Sequence, residues 1–504
     1  VNNIKILSMF NSIINLYFND PLIFILMLPM IGIFIISFIS YKNKILIKKV
    51  TLFFTYIIFL YVESLWFLFD ISFSRFQLTF SYPWIEMLNL NITLGLDGIS
   101  YIFILLTALL IPLCILSSWV VVDNKEKIYY IAFLFMEFCL IFVFCVRDLL
   151  LFYIFFESIL IPMFILIGIW GSRERKIRAA YLFFLYTLLG SLLMLIAVIY
   201  IYINYGTTNY EKLLNLSFSL SEQKFLWLAF FASFATKVPM VPVHLWLPEA
   251  HVEAPTAGSV LLAGVLLKLG TYGFIRYSLP LFPEASYYFS PFVYTLSILG
   301  VIYTSLTAIR QTDLKRIIAY TSIAHMNLVM IGIFSFNIIG IEGAIIQSLS
   351  HGFVSSALFL LIGVLYDRYH TRIIKYYSGL AHTMPLFSLI FLFFTMANIA
   401  IPGTSSFVGE FLILLGAFNV NTTAIFFGAL SMILGGAYSL WVFNRINYGN
   451  LKLYYLSSYS DINFREFTLF LPLIFGVLLL GIYPNIFVQL IHSNVIALVV
   501  HLYN

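Results

Sequence analysis

The chain has 504 residues, 62% of them hydrophobic and 10% charged, with a formal net charge of +5. Its mean hydropathy of +1.01 excludes a water-soluble globular domain and places it among all-α polytopic membrane proteins. The excess positive charge sits in short loops between apolar runs, which argues against nucleic acid as a partner and for membrane lipids.

The apolar runs predict about 14 transmembrane helices, each long enough for a hydrocarbon core of ~30 Å. The first three, within 1–122, centre near Met30, Ile58 and Leu109 and read as peripheral. Helices 4–8 occupy 129–278, centred near Ile141, Leu160, Leu192, Ala235 and Leu266. Helices 9–13 occupy 291–446, centred near Leu299, Met326, Leu349, Met396 and Ile433. Helix 14, near Leu478, and a tail fill 466–504.

Nearly all surface cations fall on odd-numbered connections. They include Lys42 to Lys49, Lys125 and Lys127, Arg173 to Arg178, Arg310 to Arg316, Arg368 to Lys375 and Arg445 to Arg465. The positive-inside rule makes this the inner face and puts both termini outside. Trp119, Trp170 and Trp246 fall at segment ends, as interfacial aromatics do. No apolar run ends in a small-residue cleavage site, so no cleaved signal peptide is expected. Cys114, Cys139 and Cys145 lie in apolar segments without CxxC spacing and read as packing residues.

Two predicted helices are interrupted near mid-membrane. The seventh contains Lys237-Val-Pro239-Met-Val-Pro242, and the twelfth contains Ile401-Pro402-Gly403 and Glu410. Broken backbone at that depth is tolerated only where protein or water lines it, and a charge there is costly. The breaks are five helices apart. Five is odd, so equivalent helices of consecutive five-helix units run in opposite directions. Helices 4–8 and 9–13 therefore form two candidate inverted repeats, with sites at broken helices 7 and 12.

Lys237 and Lys268 lie 14 and 17 residues from His251, or roughly 21 and 26 Å of helix. His325 lies roughly 20 Å past the cationic loop at Thr312. His351 and Glu157 fall well inside their own segments, and Glu410 sits at the second break. These six residues are the candidates for moving protons. Burial shifts Lys and His toward neutrality, while an opposite charge holds Lys protonated. A Glu157–Lys237 pair would hold the proton when closed and release it when open. The plainer alternatives are a structural ion pair for Glu157 and core hydrogen bonding for each His. Glu137 in helix 4 is ambiguous. Asp97, Glu342 and Arg147-Asp148 read as interfacial or capping groups. The loop Leu247 to Pro255 could gate uptake or simply face water. No nucleotide, flavin, iron–sulfur or zinc motif is present, so no cofactor is expected in this chain.

Several stretches resemble a known family. They are Leu94-Gly-Leu-Asp-Gly-Ile-Ser100, Phe155-Phe-Glu-Ser-Ile-Leu-Ile-Pro-Met163 and the long run from Lys237 to Gly270. Ile318 to Met326, Ser350-His-Gly352 and Pro402 to Phe411 match as well. The chain resembles the chain 4 family of NADH–ubiquinone oxidoreductase, over about residues 94–485. The related chain 5 type carries a long C-terminal extension, and this sequence stops soon after helix 14. The resemblance implies that Lys237 is the helix 7 lysine, Glu157 its carboxylate partner and Lys268 the helix 8 lysine. It makes His325 and His351 the connecting histidines and Glu410 the exit-side glutamate. It implies proton translocation in the mitochondrial inner membrane, beside antiporter-like chains 2 and 5. Flavin, iron–sulfur clusters and quinone would belong to other subunits. A multi-subunit Na⁺/H⁺ antiporter and a non-pumping structural subunit are the alternatives.

Overall fold

The computed structural model describes residues 20–122, 124–452, 454 and 460–503. Residues 1–19, with Lys5 and the expected outward N-terminus, lie outside it, as do 123, 453, 455–459 and 504. Thirteen helices among the described residues are long and apolar enough to cross a membrane. They are α1 (Pro21–Phe38), α2 (Lys44–Leu65), α3 (Gly98–Ser117), α4 (Glu126–Cys145), α5 (Leu149–Trp170), α6 (Lys176–Tyr205), α8 (Thr256–Leu281), α9 (Pro283–Arg310), α10 (Leu314–Ile333), α11 (Ile338–Tyr369), α13 (Thr422–Asn447), α14 (Phe464–Ile482) and α15 (Asn485–Tyr503). The two interrupted helices complete the set. The seventh is α7a (Leu220–Lys237) with α7b (Trp246–Glu253), and the twelfth is α12a (Pro385–Asn398) with α12b (Ser405–Phe418).

α15 was expected only as a tail. It lies across one face of the bundle instead of through it. His492 near its middle meets Glu342 at 2.6 Å. Asn494 donates to Ser74 O and accepts from Gly98 N, and His501 near its end meets Pro280 O at 3.0 Å. Glu342, Gly98 and Pro280 sit near helix ends on one side of the bundle, and Ser74 lies in the connection that follows α2 on that side. Setting α15 aside leaves the fourteen crossings expected from the sequence. The same face carries a two-stranded antiparallel hairpin, β1 (Gln77–Ile85) and β2 (Leu90–Leu96), paired Phe80 to Leu94. Its turn puts Asn89 at φ 51°, a left-handed conformation that Asn tolerates. This side is the hairpin face. Asp97 does cap α3, in a capping box with Ser100. Asp148 caps α5 through Leu150 N and Leu151 N and accepts from Thr208 at 2.6 Å. Burial pushes the Asp148 carboxyl up, against the pull of those hydrogen bonds.

Three expectations need correction on the opposite face. Lys48, Lys127, Lys315 and Arg372 are buried cations, not solvated loop charges. They serve helix ends: Lys127 donates to Ser37 O and Ile39 O, Lys315 to Ala254 O at 2.6 Å, and Arg372 to Val252 O. Unpaired carbonyls at a helix C-terminus attract such cations. The expected loop Leu247 to Pro255 is mostly the helix α7b, and His251 in it is buried, its ring stacked on Phe359 at 4.6 Å. Trp246 is not interfacial. It is 1% exposed, and its indole N–H donates to Thr236 O at 2.9 Å, spanning the break in helix 7. The three cysteines are buried and free.

Candidate functional site

The site is built where α8, α10, α11 and the two breaks meet. In helix 7 the break follows from Pro239 and Pro242, which supply no N–H to continue a helix. Met240 N reaches back to Ala235 O at 2.8 Å, and Asn327 of α10 donates to Pro239 O at 3.4 Å. In helix 12 the break passes through Gly403 at φ +90°, which Gly adopts freely and other residues do not. The Ser406 hydroxyl donates to Ala397 O, so a carbonyl freed by the break is satisfied.

α8 has its own irregularity. It contains two π-helical turns, Leu262–Leu266 and Phe274–Ser278. A π turn frees a carbonyl and often marks a functional site. Here Lys268, fully buried, donates to Ala263 O at 2.5 Å. Its ammonium also lies 2.8 Å from His351 Nδ1 on α11. The His351 and His325 rings are 6.0 Å apart between centroids. His325 Nδ1 on α10 is 2.9 Å from Glu410 Oε1 on α12b. Glu410 is 2% exposed and accepts a further hydrogen bond from Gln347 at 3.1 Å. The structure thus brings four of the six predicted residues into one line: Lys268, His351, His325 and Glu410. The Nε2 atoms of both histidines are buried without a hydrogen-bond partner. With Nδ1 of His351 accepting from Lys268, the free nitrogens of the two rings are the pair left to exchange a proton.

The other two residues form a separate cluster. Lys237 is 3% exposed and ends α7a. Its ammonium lies 3.5 Å from Phe156 O and 4.2 Å from the centre of the Phe156 ring. Both Glu157 oxygens are buried without a hydrogen-bond partner. The Glu157–Lys237 pair is therefore open, although consecutive residues, Phe156 and Glu157, flank the lysine. Glu137 is buried on α4 with both oxygens unpartnered and joins neither cluster.

Sequence reasoning missed Gln347, which lies four residues before His351 and so on the same face of α11. That spacing was a usable signal. It also missed the π turn that offers Ala263 O, for which Gly264 is the sole hint. His251, buried with unpartnered nitrogens, falls in the expected loop Leu247 to Pro255, and buried His244 carries no reading in the sequence. Among the described residues no group of three or more His, Cys, Asp or Glu is placed to hold a metal ion.

The chain is similar to known proteins along nearly its whole length. Residues 146–435 match the family model for the NADH:quinone oxidoreductase/Mrp antiporter transmembrane region. The NADH-ubiquinone oxidoreductase chain 4 of Arabidopsis thaliana is 58% identical over 485 residues, which is 96% of this chain and 98% of that protein. Its counterpart in Marchantia polymorpha is 57% identical over 477 residues, 95% of this chain and 96% of that one. Among solved structures, a chain of respiratory complex I from Thermus thermophilus, solved with bound NADH, aligns with a TM-score of 0.87. It is 30% identical and covers 95% of this chain and 99% of its own. Near-complete coverage at this identity settles the relationship: the chain belongs to the NADH-ubiquinone oxidoreductase chain 4 family.

Proposed function

We propose that this chain is a proton-translocating membrane subunit of respiratory complex I. The observation that carries the reading is the buried line from Lys268 through His351 and His325 to Glu410. Each imidazole can take a proton on one nitrogen and give one from the other. A proton leaving the Lys268 ammonium enters His351 at Nδ1 and departs from Nε2. It enters His325 at Nε2, with one water able to bridge the rings, and passes from Nδ1 to the Glu410 carboxylate. Lys268 is then neutral, Glu410 is protonated and both imidazoles have switched tautomer, so the cycle closes when Glu410 releases its proton, the two rings reset and Lys268 is reprotonated.

Glu157 and Lys237 set the timing. When Glu157 pairs with Lys237 it holds that ammonium charged. When the pair opens, as here, the Lys237 ammonium is left uncompensated, and its positive charge favours departure of the proton from Lys268. The two units, 129–278 and 291–446, would be inverted repeats carrying the loading and releasing halves. The chain would sit in the mitochondrial inner membrane beside antiporter-like chains 2 and 5. Flavin, iron–sulfur clusters and quinone would reside in partner subunits, whose NADH oxidation and quinone reduction supply the energy. The family description also covers Mrp antiporters. High identity with chain 4 proteins along nearly the whole length favours complex I. The test is proton pumping per NADH oxidised by assembled complex carrying Glu410→Ala or Lys237→Ala. Both should pump poorly at unchanged flavin and iron–sulfur content, and normal pumping in both would leave a structural role.

A further inference from the structure

A cavity of about 460 Å³ opens on the hairpin face. Its rim residues Ser74, Arg75 and Glu211 are exposed, while Asp97 and Arg276 in its wall are buried. Arg276 belongs to α8, eight residues beyond Lys268, a rise of ~12 Å. Water on this face therefore comes within about two helical turns of the lysine that loads the relay. A hydrogen-bonded line covers part of that distance and ends on Phe144 O. Arg276 is paired with Asp97, and its Nε lies 3.3 Å from the Tyr272 hydroxyl, one turn from Lys268. Left to itself such a line could conduct protons backwards.

Two features oppose that. The guanidinium stands between the Asp97 carboxylate and the phenol, and arginine neither gives up its proton at cellular pH nor accepts another. It breaks the line chemically and presents a fixed positive charge to any hydronium. Arg276 is also held in place, 4.8 Å from the centre of the Phe76 ring and 5.7 Å from that of Tyr210. Beyond it the path is filled. Tyr272 is 1% exposed and donates to Phe144 O at 3.2 Å. Its ring meets Phe144 edge-on at 5.1 Å and Phe103 at 6.0 Å, and those two stack on each other at 5.4 Å. On the other side α8 closes against α7a: a Cβ added to Gly273 would stand 2.4 Å from Phe234, and one added to Gly270 would stand 2.9 Å from Phe234 O. Packing this tight leaves no file of water.

We propose that Tyr272 with Phe103 and Phe144, backed by Arg276, is a seal that stops protons in the hairpin-face cavity from returning to Lys268. The proposal rests on the translocation reading and gives the first unit a second task, insulation. Its test uses the purified assembly in liposomes without NADH, so that pumping plays no part. A potassium diffusion potential set with valinomycin drives protons from the hairpin face, and an enclosed dye reads internal pH. Tyr272→Ala should leak severalfold faster than the unchanged complex, and Tyr272→Phe, which keeps the packing, should not. Arg276→His, which puts a relaying group in place of a blocking one and keeps a partner for Asp97, should also leak. Adding Lys268→Ala to either leaky variant should restore tightness, because the leak runs through that lysine. Disordered packing alone would leak regardless of Lys268. Assembled Arg276→His and Tyr272→Ala complexes as tight as the unchanged one, or leaks indifferent to Lys268→Ala, would overturn the seal. Should Tyr272→Ala fail to assemble, Tyr272→Leu, which thins the same ring layer with an apolar side chain, takes its place. The translocation reading fails separately, if complex with Lys268→Arg pumps normally under turnover.

Discussion

Glu410 is held by two donors of different kinds. His325 can carry a proton to it, whereas Gln347 can only donate an N–H. A hydrogen bond to a charged group contributes ~1.5–3 kcal/mol, and Gln347→Leu leaves the carboxylate one donor short. Pumping should slow without stopping, and Glu410→Gln, which removes the acceptor, should stop it. Proton pumping per NADH in the two variants checks the order, and equal effects would place Gln347 inside the relay itself. Glu157 gives a second comparison. Its oxygens have no hydrogen-bond partner beside the Lys237 cluster. Glu157→Asp keeps the charge with shorter reach and should retain part of the activity, while Glu157→Gln should lose most of it. Equal NADH–quinone rates in all three proteins would reduce Glu157 to packing. The six ionisable residues were legible in the sequence because charges in apolar runs stand out. Their grouping was not, because residues such as Lys268 and His351 are 83 positions apart and only helix packing brings them together.

At the scale of elements, close helix approach decides where the charges sit. Gly270 of α8 abuts the backbone of α7a: an added Cβ would meet Phe234 O at 2.9 Å and Val238 N at 3.0 Å. Backbone cannot retreat as a side chain can, so Gly270→Ala should separate α8 from α7a at a cost of ~1–3 kcal/mol. Reduced thermal stability of the assembled complex, measured against Gly168→Ala, checks this. The Gly168 control has open space around it, and equal stability of the two variants would refute the contact. Both helix breaks were readable from Pro and Gly, since those residues act on the local backbone. The π turns of α8 were not, because they arise from packing that carries almost no local signature.

For the whole molecule, the crossing count survived because length and hydropathy mark a span. α15 escaped because those same criteria cannot tell a helix that crosses from one that lies flat. Its contacts with Ser74, Glu342 and Pro280 do tell. Cysteines introduced singly at Asn485 and Tyr503, the two exposed ends of α15, should react with a membrane-impermeant reagent from the same side of sealed vesicles. Labelling from opposite sides would make α15 a crossing helix and reverse the orientation of the chain's end. Cations read as loop charges proved partly buried because helix ends in a tightly packed bundle need donors for their carbonyls. Composition alone does not reveal that need.

The most direct test of the account is made at Lys268. Arginine there keeps the positive charge and can still donate to Ala263 O and His351, but it cannot release a proton. Complex carrying Lys268→Arg, with assembly and redox cofactor content verified, is reconstituted into liposomes, and protons moved per NADH oxidised are measured. The account predicts a clear fall in that ratio or a matching arrest of coupled turnover that uncoupler does not relieve. A normal ratio at the normal rate would contradict it, because proton release from Lys268 would then be no part of the pump.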